Sequence, residues 1–264
     1  MYAFEYQRPT SRDAAKAAAT GDTRYLAGGQ SLIQAMRLRL SQSERLVDLG
    51  GVADLKGIKA ENNGITIGAM ATHASVASNA DVRRVIPALA ELAAGIGDPM
   101  VRNMGTIGGS IANADPAACY PAAVLALGAT IQTDRRKIAA DDFFTGLYET
   151  ALQPGELITS VSFPAAQKAA YVKYKQPASR FALIGVFVAQ TAAGVRVAVT
   201  GAKSHAFRAK AIEDALAKSF TAAAAKAVKM PVDGINSDLH GSAEYRASMI
   251  GVMASRAVAA ALAR

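Results

Sequence analysis

Apolar residues along the first fifty positions come in short runs, alternately of strand and of helix type. "FEYQRP" reads as a short strand, and "RDAAKAAA" is a run of helix formers that Thr10 or Ser11 can cap. "TRYLAGG" carries a second strand into two adjacent glycines, "SLIQAMRLRL" continues as a short helix, and "ERLVDL" restores strand character. This alternation predicts a small parallel α/β layer.

From about Val52 the texture changes. A turn at "NNG" leads into a strand over "ITIGAMAT", Thr72 can cap a helix beginning "HASVASN", and "VIPALAELAAGIG" reads as one long apolar helix ending near Gly97-Asp98-Pro99. In the second glycine-rich segment, "RNMGTIGGSIANADPAACYPAAVLALGATIQT", short loops alternate with a helix and a strand. After "PGELITSVSFP", Pro164 to Lys168 forms a boundary. Three strand-like runs follow, "AAYVKYKQ", "FALIGVFVAQT" and "GVRVAVTGA", the last two joined by "AAG" as in an antiparallel meander. Beyond Arg208 the chain is mostly helical, with a break at "MPVDGINSDLHGS" and a last helix entered through Ser242 and Glu244-Tyr245. The expected architecture is α+β. Residues 1–166 form a first domain, with subdomains of about 1–52 and 53–166, and residues 167–264 form a second with a three-stranded antiparallel sheet and helices.

Composition narrows the function classes. With 264 residues, 51% hydrophobic and 19% charged, the chain can bury a sizeable core and lies far from disordered compositions. Its formal charge of +8 raises the question of nucleic acid, but the densest basic cluster is only Arg135-Arg136-Lys137, with no aromatic or zinc-finger pattern beside it. A solvated surface, or docking onto an acidic protein, explains the charge better. Cys119 is the only cysteine, so any iron–sulfur cluster must belong to a partner. His73, His205 and His240 lie far apart and form no metal-ligand pair. The first residues lack a secretory pattern and no run of about 18 apolar residues occurs, so no membrane span and a cytoplasmic location are expected.

The chemistry concentrates in two glycine segments. In "LAGGQSLIQAM", glycines reach left-handed backbone without steric cost and let a ligand approach main-chain N–H groups, and a helix starting at Gln30-Ser31 adds its positive end. "GTIGGSIANAD" repeats the design with Thr106, Gly108, Gly109 and Ser110. Neither segment is a dinucleotide fingerprint or an NTP-binding loop. Together they suit the two ends of one extended ligand carrying a pyrophosphate.

In order and spacing, "LAGGQSLIQAMRLRL", "ITIGAMATHASV" and "IGDPMVRNMGTIGGSIANADPAACYPAAVLALGA" closely resemble the FAD-binding medium subunits of bacterial molybdenum hydroxylases, the xanthine and carbon monoxide dehydrogenase flavoprotein family. The likeness runs over essentially the whole chain and includes the C-terminal "DLHGSAEYR". It implies a two-subdomain FAD-binding fold of the vanillyl-alcohol oxidase type. It also implies that Leu26, Ala27, Gly28, Gly29, Gln30, Ser31, Leu32 and Ile33 hold the FAD pyrophosphate, with Thr106, Ile107, Gly108, Gly109 and Ser110 lining the same cofactor. Ile96, Ile158 and Lys175 are brought into the flavin site by the same comparison. One position departs from the pattern: the family reads "DPAADYP" where this chain has "DPAACYP", so Cys119 replaces an aspartate that contacts FAD. A thiol is a weak donor in place of a charged acceptor, and FAD is expected to be held less tightly.

The resemblance further implies an oxidoreductase subunit without catalytic acid–base residues of its own. Electrons would come from a molybdenum-cofactor large subunit through a small subunit with two [2Fe-2S] clusters, pass through FAD, and go to NAD, oxygen or a quinone. A dimer of heterotrimers is the expected assembly, and export on a partner's signal would place it in the periplasm instead. Two other readings stay open: a stand-alone FAD oxidoreductase of the vanillyl-alcohol oxidase type, and a docking subunit that has lost FAD. Phe181 could cover the flavin ring, although an apolar residue beside a strand more commonly packs into its core.

Overall fold

Ser11, not Thr10, provides the first helix cap: its hydroxyl accepts the Ala14 N–H at 3.2 Å. In the computed structural model, which describes residues 1–61 and 63–264, this opens the first parallel layer. The layer comprises β1 (Glu5–Gln7), α1 (Arg12–Ala18), β2 (Thr23–Leu26), α2 (Leu32–Arg37) and β3 (Arg45–Asp48). Its strands lie in the order β1-β3-β2 and both pairs are parallel, the geometry that a helical crossover permits. The central strand buries Leu46 and Val47 on opposite faces, as expected of a parallel strand covered on both sides.

The next region holds β4 (Ile58–Glu61), β5 (Gly64–Gly68), α3 (His73–Ser78), α4 (Ala80–Val85), α5 (Pro87–Ala94), α6 (Pro99–Met104), α7 (Ile107–Asn113) and α8 (Tyr120–Leu127). It continues through β6 (Thr130–Thr133), β7 (Lys137–Ala139), β8 (Phe144–Gly146), β9 (Glu149–Thr150) and β10 (Ile158–Pro164). Five of these strands form an antiparallel sheet in the order β4-β5-β10-β6-β7. The turn expected at "NNG" falls partly on Asn62, which lies outside the described residues. Thr72 caps α3 as expected, accepting the Ser75 N–H at 3.1 Å. The long apolar helix expected over "VIPALAELAAGIG" is instead cut at both ends. Pro87 forces Ile86 out of helical conformation (φ −141°) and opens α5, which stops at Ala94 before Gly95. Every residue of α8 is buried, which explains why its sequence shows no polar face.

The C-terminal part contains β11 (Lys168–Lys175), β12 (Ala182–Thr191), β13 (Gly194–Thr200), β14 (Phe207–Arg208), α9 (Lys210–Lys218), α10 (Ala222–Ala227) and α11 (Ala243–Leu262). Its antiparallel sheet has four strands, β11-β12-β13-β14, not the three expected. The added strand is two residues long, too short to leave an alternation in the sequence. Strand β12 is apolar at every other position on both faces: Phe187 and Ala189 join the core around α8, whereas Ile184, Val186 and Val188 pack with Ile250, Ala254 and Val258 of α11. This two-sided burial fastens the C-terminal sheet to α8, and Arg196 adds a hydrogen bond from Nε to the Leu125 carbonyl at 2.8 Å.

The basic cluster Arg135-Arg136-Lys137 has structural work. Arg136 grips the buried Glu156 with Nε and a terminal nitrogen, both at 3.0 Å, and Arg135 donates to the Pro154 carbonyl. The paired guanidinium holds the Glu156 carboxyl down to about 2. No helix among the described residues is long and apolar enough to cross a membrane, and no group of three or more His, Cys, Asp or Glu could hold a metal ion.

Candidate cofactor site

The first glycine segment turns immediately after β2. Gly29 sits at φ +70°, a conformation that L side chains rarely adopt. Gly28 is glycine for a different reason: a Cβ there would lie 2.0 Å from the Met104 carbonyl oxygen and 2.7 Å from the Gly105 Cα, so another stretch of backbone crosses directly behind it. Among the described residues, the amides of Gly28, Gly29, Gln30 and Ser31 donate to no acceptor in the chain. Four consecutive open N–H groups, running from buried Gly28 to exposed Gln30 and Ser31, suit an anion cradle. The helix start differs from expectation. It begins at Leu32, Ser31 makes no side-chain cap, and six residues supply little dipole, so the loop amides carry the cradle.

The second segment is not a loop, which corrects the expectation that it offers bare backbone. Thr106 caps α7, its Oγ1 accepting the Gly109 N–H at 3.1 Å, and Gly108 and Gly109 lie inside the first helical turn. The Ile107 N–H goes to the Ala71 carbonyl at 3.1 Å, that of Gly108 to Ala69 at 2.8 Å, and that of Ser110 to Thr106 at 3.0 Å. Its amides are already used. The glycines instead permit close packing: a Cβ on Gly108 would stand 2.7 Å from the Ala69 carbonyl oxygen, and one on Gly109 would meet Ala27 of the first segment at 3.4 Å. The two segments therefore pack against each other, with open donors on the first only. A glycine pair serves ligand access and backbone crossing equally well, so the sequence could not separate the two uses.

The outlying residues fall into two groups. Ile158 is buried in β10 among core residues, and the carbonyl of its neighbour Thr159 accepts the N–H of Ala69, the residue whose own carbonyl accepts from Gly108, at 3.0 Å. Lys175 lines a cavity of about 320 Å³ whose walls also include Gly95, Gly97, Arg102, Gln176 and Arg180, whereas Ile96 is not among the lining residues. Ile96 lies between the two wall glycines, and its carbonyl accepts from the Arg102 guanidinium at 2.9 Å. Cys119 immediately precedes α8 and is buried. The Lys173 ammonium donates to its Sγ at 3.4 Å and to the Gly95 carbonyl at 2.9 Å. Lys173 thus ties the departure from the family pattern to the cavity wall.

Sequence reasoning missed Lys173, Arg102 and Arg180. A signal existed only for the first, since Lys173 and Lys175 share one face of β11 by strand alternation. Phe181 does not pack into the strand core. It precedes β12 after the left-handed Arg180 (φ +61°) and is 48% exposed.

The family of the FAD binding domain in molybdopterin dehydrogenase matches residues 2–166. The chain belongs to this family. It is 36% identical over 280 residues to the carbon monoxide dehydrogenase medium chain of Hydrogenophaga pseudoflava, covering 99% of this chain and 98% of that one. To the nicotine 6-hydroxylase medium subunit of Paenarthrobacter nicotinovorans it is 34% identical, with 99% and 98% covered. Among solved structures, reconstituted CO dehydrogenase from Oligotropha carboxidovorans superposes with a TM-score of 0.91 at 35% identity over 100% of this chain and 99% of that one. Quinoline 2-oxidoreductase from Pseudomonas putida 86 gives 0.88 at 30% identity, covering 98% and 97%.

In this member of the FAD-binding family, His73 is a buried residue packed on Gly105, behind the first glycine segment, that the sequence did not flag. Its N–H bonds the Gly105 carbonyl at 2.9 Å, its ring centroid lies 5.3 Å from that of Tyr120, and its Nδ1 has no partner among the described residues. Burial, with Arg102 adding repulsion, pushes its pKa from 6.5 down to about 4. The unfolded chain therefore takes up the His73 proton first as pH falls. Stability is full above pH 6.5 and is lost towards pH 4, by about 3 kcal/mol for this group. His73→Phe is expected to flatten the fall of the thermal midpoint across that window; an unchanged fall refutes the assignment.

Proposed function

We propose that this chain is the FAD-carrying, electron-transferring subunit of a heteromeric molybdenum hydroxylase. The observation that carries the reading is the row of open amides from Gly28 to Ser31, held against the Met104–Gly105 crossing in a chain of the FAD-binding family. In this reading Leu26 to Ile33 wrap the FAD pyrophosphate, the amides of Gly28 to Ser31 donate to it, and Thr106 to Ser110 form the opposing wall. Ile96, Cys119, Ile158 and Lys175 belong to the side of the site that receives the flavin ring, and Phe181 stands exposed beside it. When bound, FAD supplies the redox chemistry, collecting electrons and passing them on as pairs. The chain's own residues bind and orient it.

Residues 1–166 act as the FAD-binding domain, of vanillyl-alcohol oxidase type with subdomains of about 1–52 and 53–166, and residues 167–264 as the C-terminal domain. The partners are a molybdenum-cofactor large subunit and a [2Fe-2S] small subunit, arranged as a dimer of heterotrimers in the cytoplasm, with NAD, oxygen or a quinone as electron acceptor. The lone buried thiol of Cys119 agrees with clusters carried elsewhere. A stand-alone oxidase would need an acid or base at the flavin, and the cavity lining contains no carboxylate or histidine.

Co-expression with its partner subunits and purification of the complex tests the reading. The expected product is yellow, absorbs at about 450 nm as oxidised flavin does, and contains molybdenum and iron. A complex without flavin, or a chain that purifies with neither partner, overturns it. Cys119→Asp supplies a charged acceptor beside Lys173 and is expected to retain more FAD through gel filtration; equal retention removes Cys119 as a weak point of the site.

A further inference from the structure

The cavity beside α6 gathers cations without a matching acid. Three of its lining side chains are cations, Arg102, Lys175 and Arg180, and Lys173 stands behind its wall on the Gly95 carbonyl. None of the four forms a salt bridge among the described residues. None of their hydrogen bonds goes to a carboxylate: Arg102 donates to the carbonyls of Ile96 and Gly97, Arg180 to that of Gly97, and Lys173 to the Gly95 carbonyl and the Cys119 sulfur. Asp98, the carboxylate next in sequence to the wall, is engaged in capping α6 and accepts the Val101 N–H at 2.9 Å. Like charges gathered around a concave surface repel one another and focus a positive potential into it. Such a site is matched to negative charge.

Its position relative to the amide cradle says which charge. The two features lie at opposite ends of α6: Met104 and Gly105, at the C-terminal end, back onto Gly28, whereas Gly97 precedes the helix and the Arg102 guanidinium reaches back to the Gly97 carbonyl, both lining the cavity. Six residues of helix span roughly 9 Å. That distance suits the five-carbon chain between the pyrophosphate of FAD and its ring. The oxidised ring is neutral and gives the cations nothing to compensate. Two electrons delivered from the partner iron–sulfur clusters, with one proton taken from solvent, leave the reduced ring with one negative charge.

We infer that Arg102, Lys175 and Arg180 form an electrostatic seat for the anionic reduced flavin ring, raising the reduction potential of FAD and suppressing uptake of a second proton. The inference rests on the proposed FAD-carrying function and adds two residues, Arg102 and Arg180, to its site. The gain is differential: fixed charges that interact weakly with the neutral ring and strongly with the charged one favour the reduced state. Arg180, on the exposed turn between β11 and β12, is the cation whose removal disturbs the fold least.

The test is a spectroelectrochemical titration of FAD in the purified complex, repeated across neutral pH to count protons taken up per electron pair. Arg180→Gln is expected to lower the ratio of reduced to oxidised flavin at fixed poise by three- to tenfold, where tenfold corresponds to about 30 mV for a two-electron couple. Lys175→Gln combined with Arg180→Gln is expected to shift it further and to move proton uptake from one towards two. Arg180→Lys retains the wild-type potential, and Lys59→Gln, an exposed cation on β4, leaves it unchanged. A midpoint and proton count that do not move in the double variant, with FAD still bound, overturn the inference. If the KM for NAD rises instead, the cations belong to an anionic acceptor and the inference again falls. A wild-type complex without flavin overturns the functional reading itself, a different and separately visible result.

Discussion

Gly28→Ala is expected to strip the protein of most of its FAD. The added Cβ would stand 2.0 Å from the Met104 oxygen and 2.7 Å from both the Met104 carbonyl carbon and the Gly105 Cα. All three are backbone atoms, so no side chain can swing aside. The crossing segment, the C-terminal end of α6, is clamped: Gly105 donates to Val101 at 2.7 Å and accepts from His73 at 2.9 Å, and Ile107 is bonded to Ala71. The first segment is held more loosely: its amides are open, and its carbonyls accept from the Ile33 and Ala35 N–H groups and the Gln30 side chain, all within the segment and the helix that follows it. It must move, and the donors proposed for the pyrophosphate move with it. Overpacking of this kind costs about 1–3 kcal/mol in stability. Misplacing several charge-assisted donors lowers FAD affinity on the order of a hundredfold, about 3 kcal/mol. Flavin-to-protein ratio after gel filtration reads the effect. Gly29→Ala should be milder, because its Cβ meets a movable Ile33 side chain at 3.0 Å and the cost is mainly the left-handed backbone, about 1–2 kcal/mol. Gly57→Ala, with nothing within 4 Å of the added atom, is the neutral control. Wild-type flavin content in the Gly28 variant would show that the crossing does not shape the site.

Why Gly28 is irreplaceable marks the boundary of what the sequence discloses. Local spacing exposed the parallel layer, the Thr72 cap and the two glycine segments, because each is written in periods of two or of 3.6 and in turn chemistry. The use of each glycine depends on what lies across from it, and the Met104 carbonyl behind Gly28 or Ala69 behind Gly108 is set by tertiary packing alone. The same limit hid the cavity. Arg102, Lys175 and Arg180 come from α6 and from the β11–β12 region, and nothing in their local sequences announces that they converge. The split between α4 and α5 is different: Pro87 signals it, and the continuous apolar run over "VIPALAELAA" outweighed that signal in the sequence reading. In β14 two residues carry no pattern at all.

Arg246→Ala is expected to be the most destabilising single change away from the site. Arg246 lies in the first turn of α11 and is 4% exposed. One terminal nitrogen donates to both Asp238 oxygens at 2.7 Å, and the other donates to the carbonyls of Gly201 at 2.7 Å and Leu183 at 3.1 Å. A single guanidinium thus joins the "DLHGS" turn, the last helix and two strand ends of the C-terminal sheet. Removing it leaves two buried carbonyls unpaired and a void where the side chain lay, whereas Asp238, about half exposed, returns to water. The expected loss is about 3 kcal/mol, a fall of roughly 10 °C in thermal midpoint for a chain of this size. Arg246→Lys keeps the charge near Asp238 but lacks the fork that reaches acid and carbonyls together, so it should fall between the two. The effect extends to the cofactor because α11 packs on β12, which pairs with the strand carrying Lys173 and Lys175. FAD loss on heating should therefore track unfolding in Arg246→Ala, whereas in Gly28→Ala it precedes unfolding. A midpoint within about 2 °C of wild type, less than 1 kcal/mol on this scale, would show that the clasp carries little of the fold's stability.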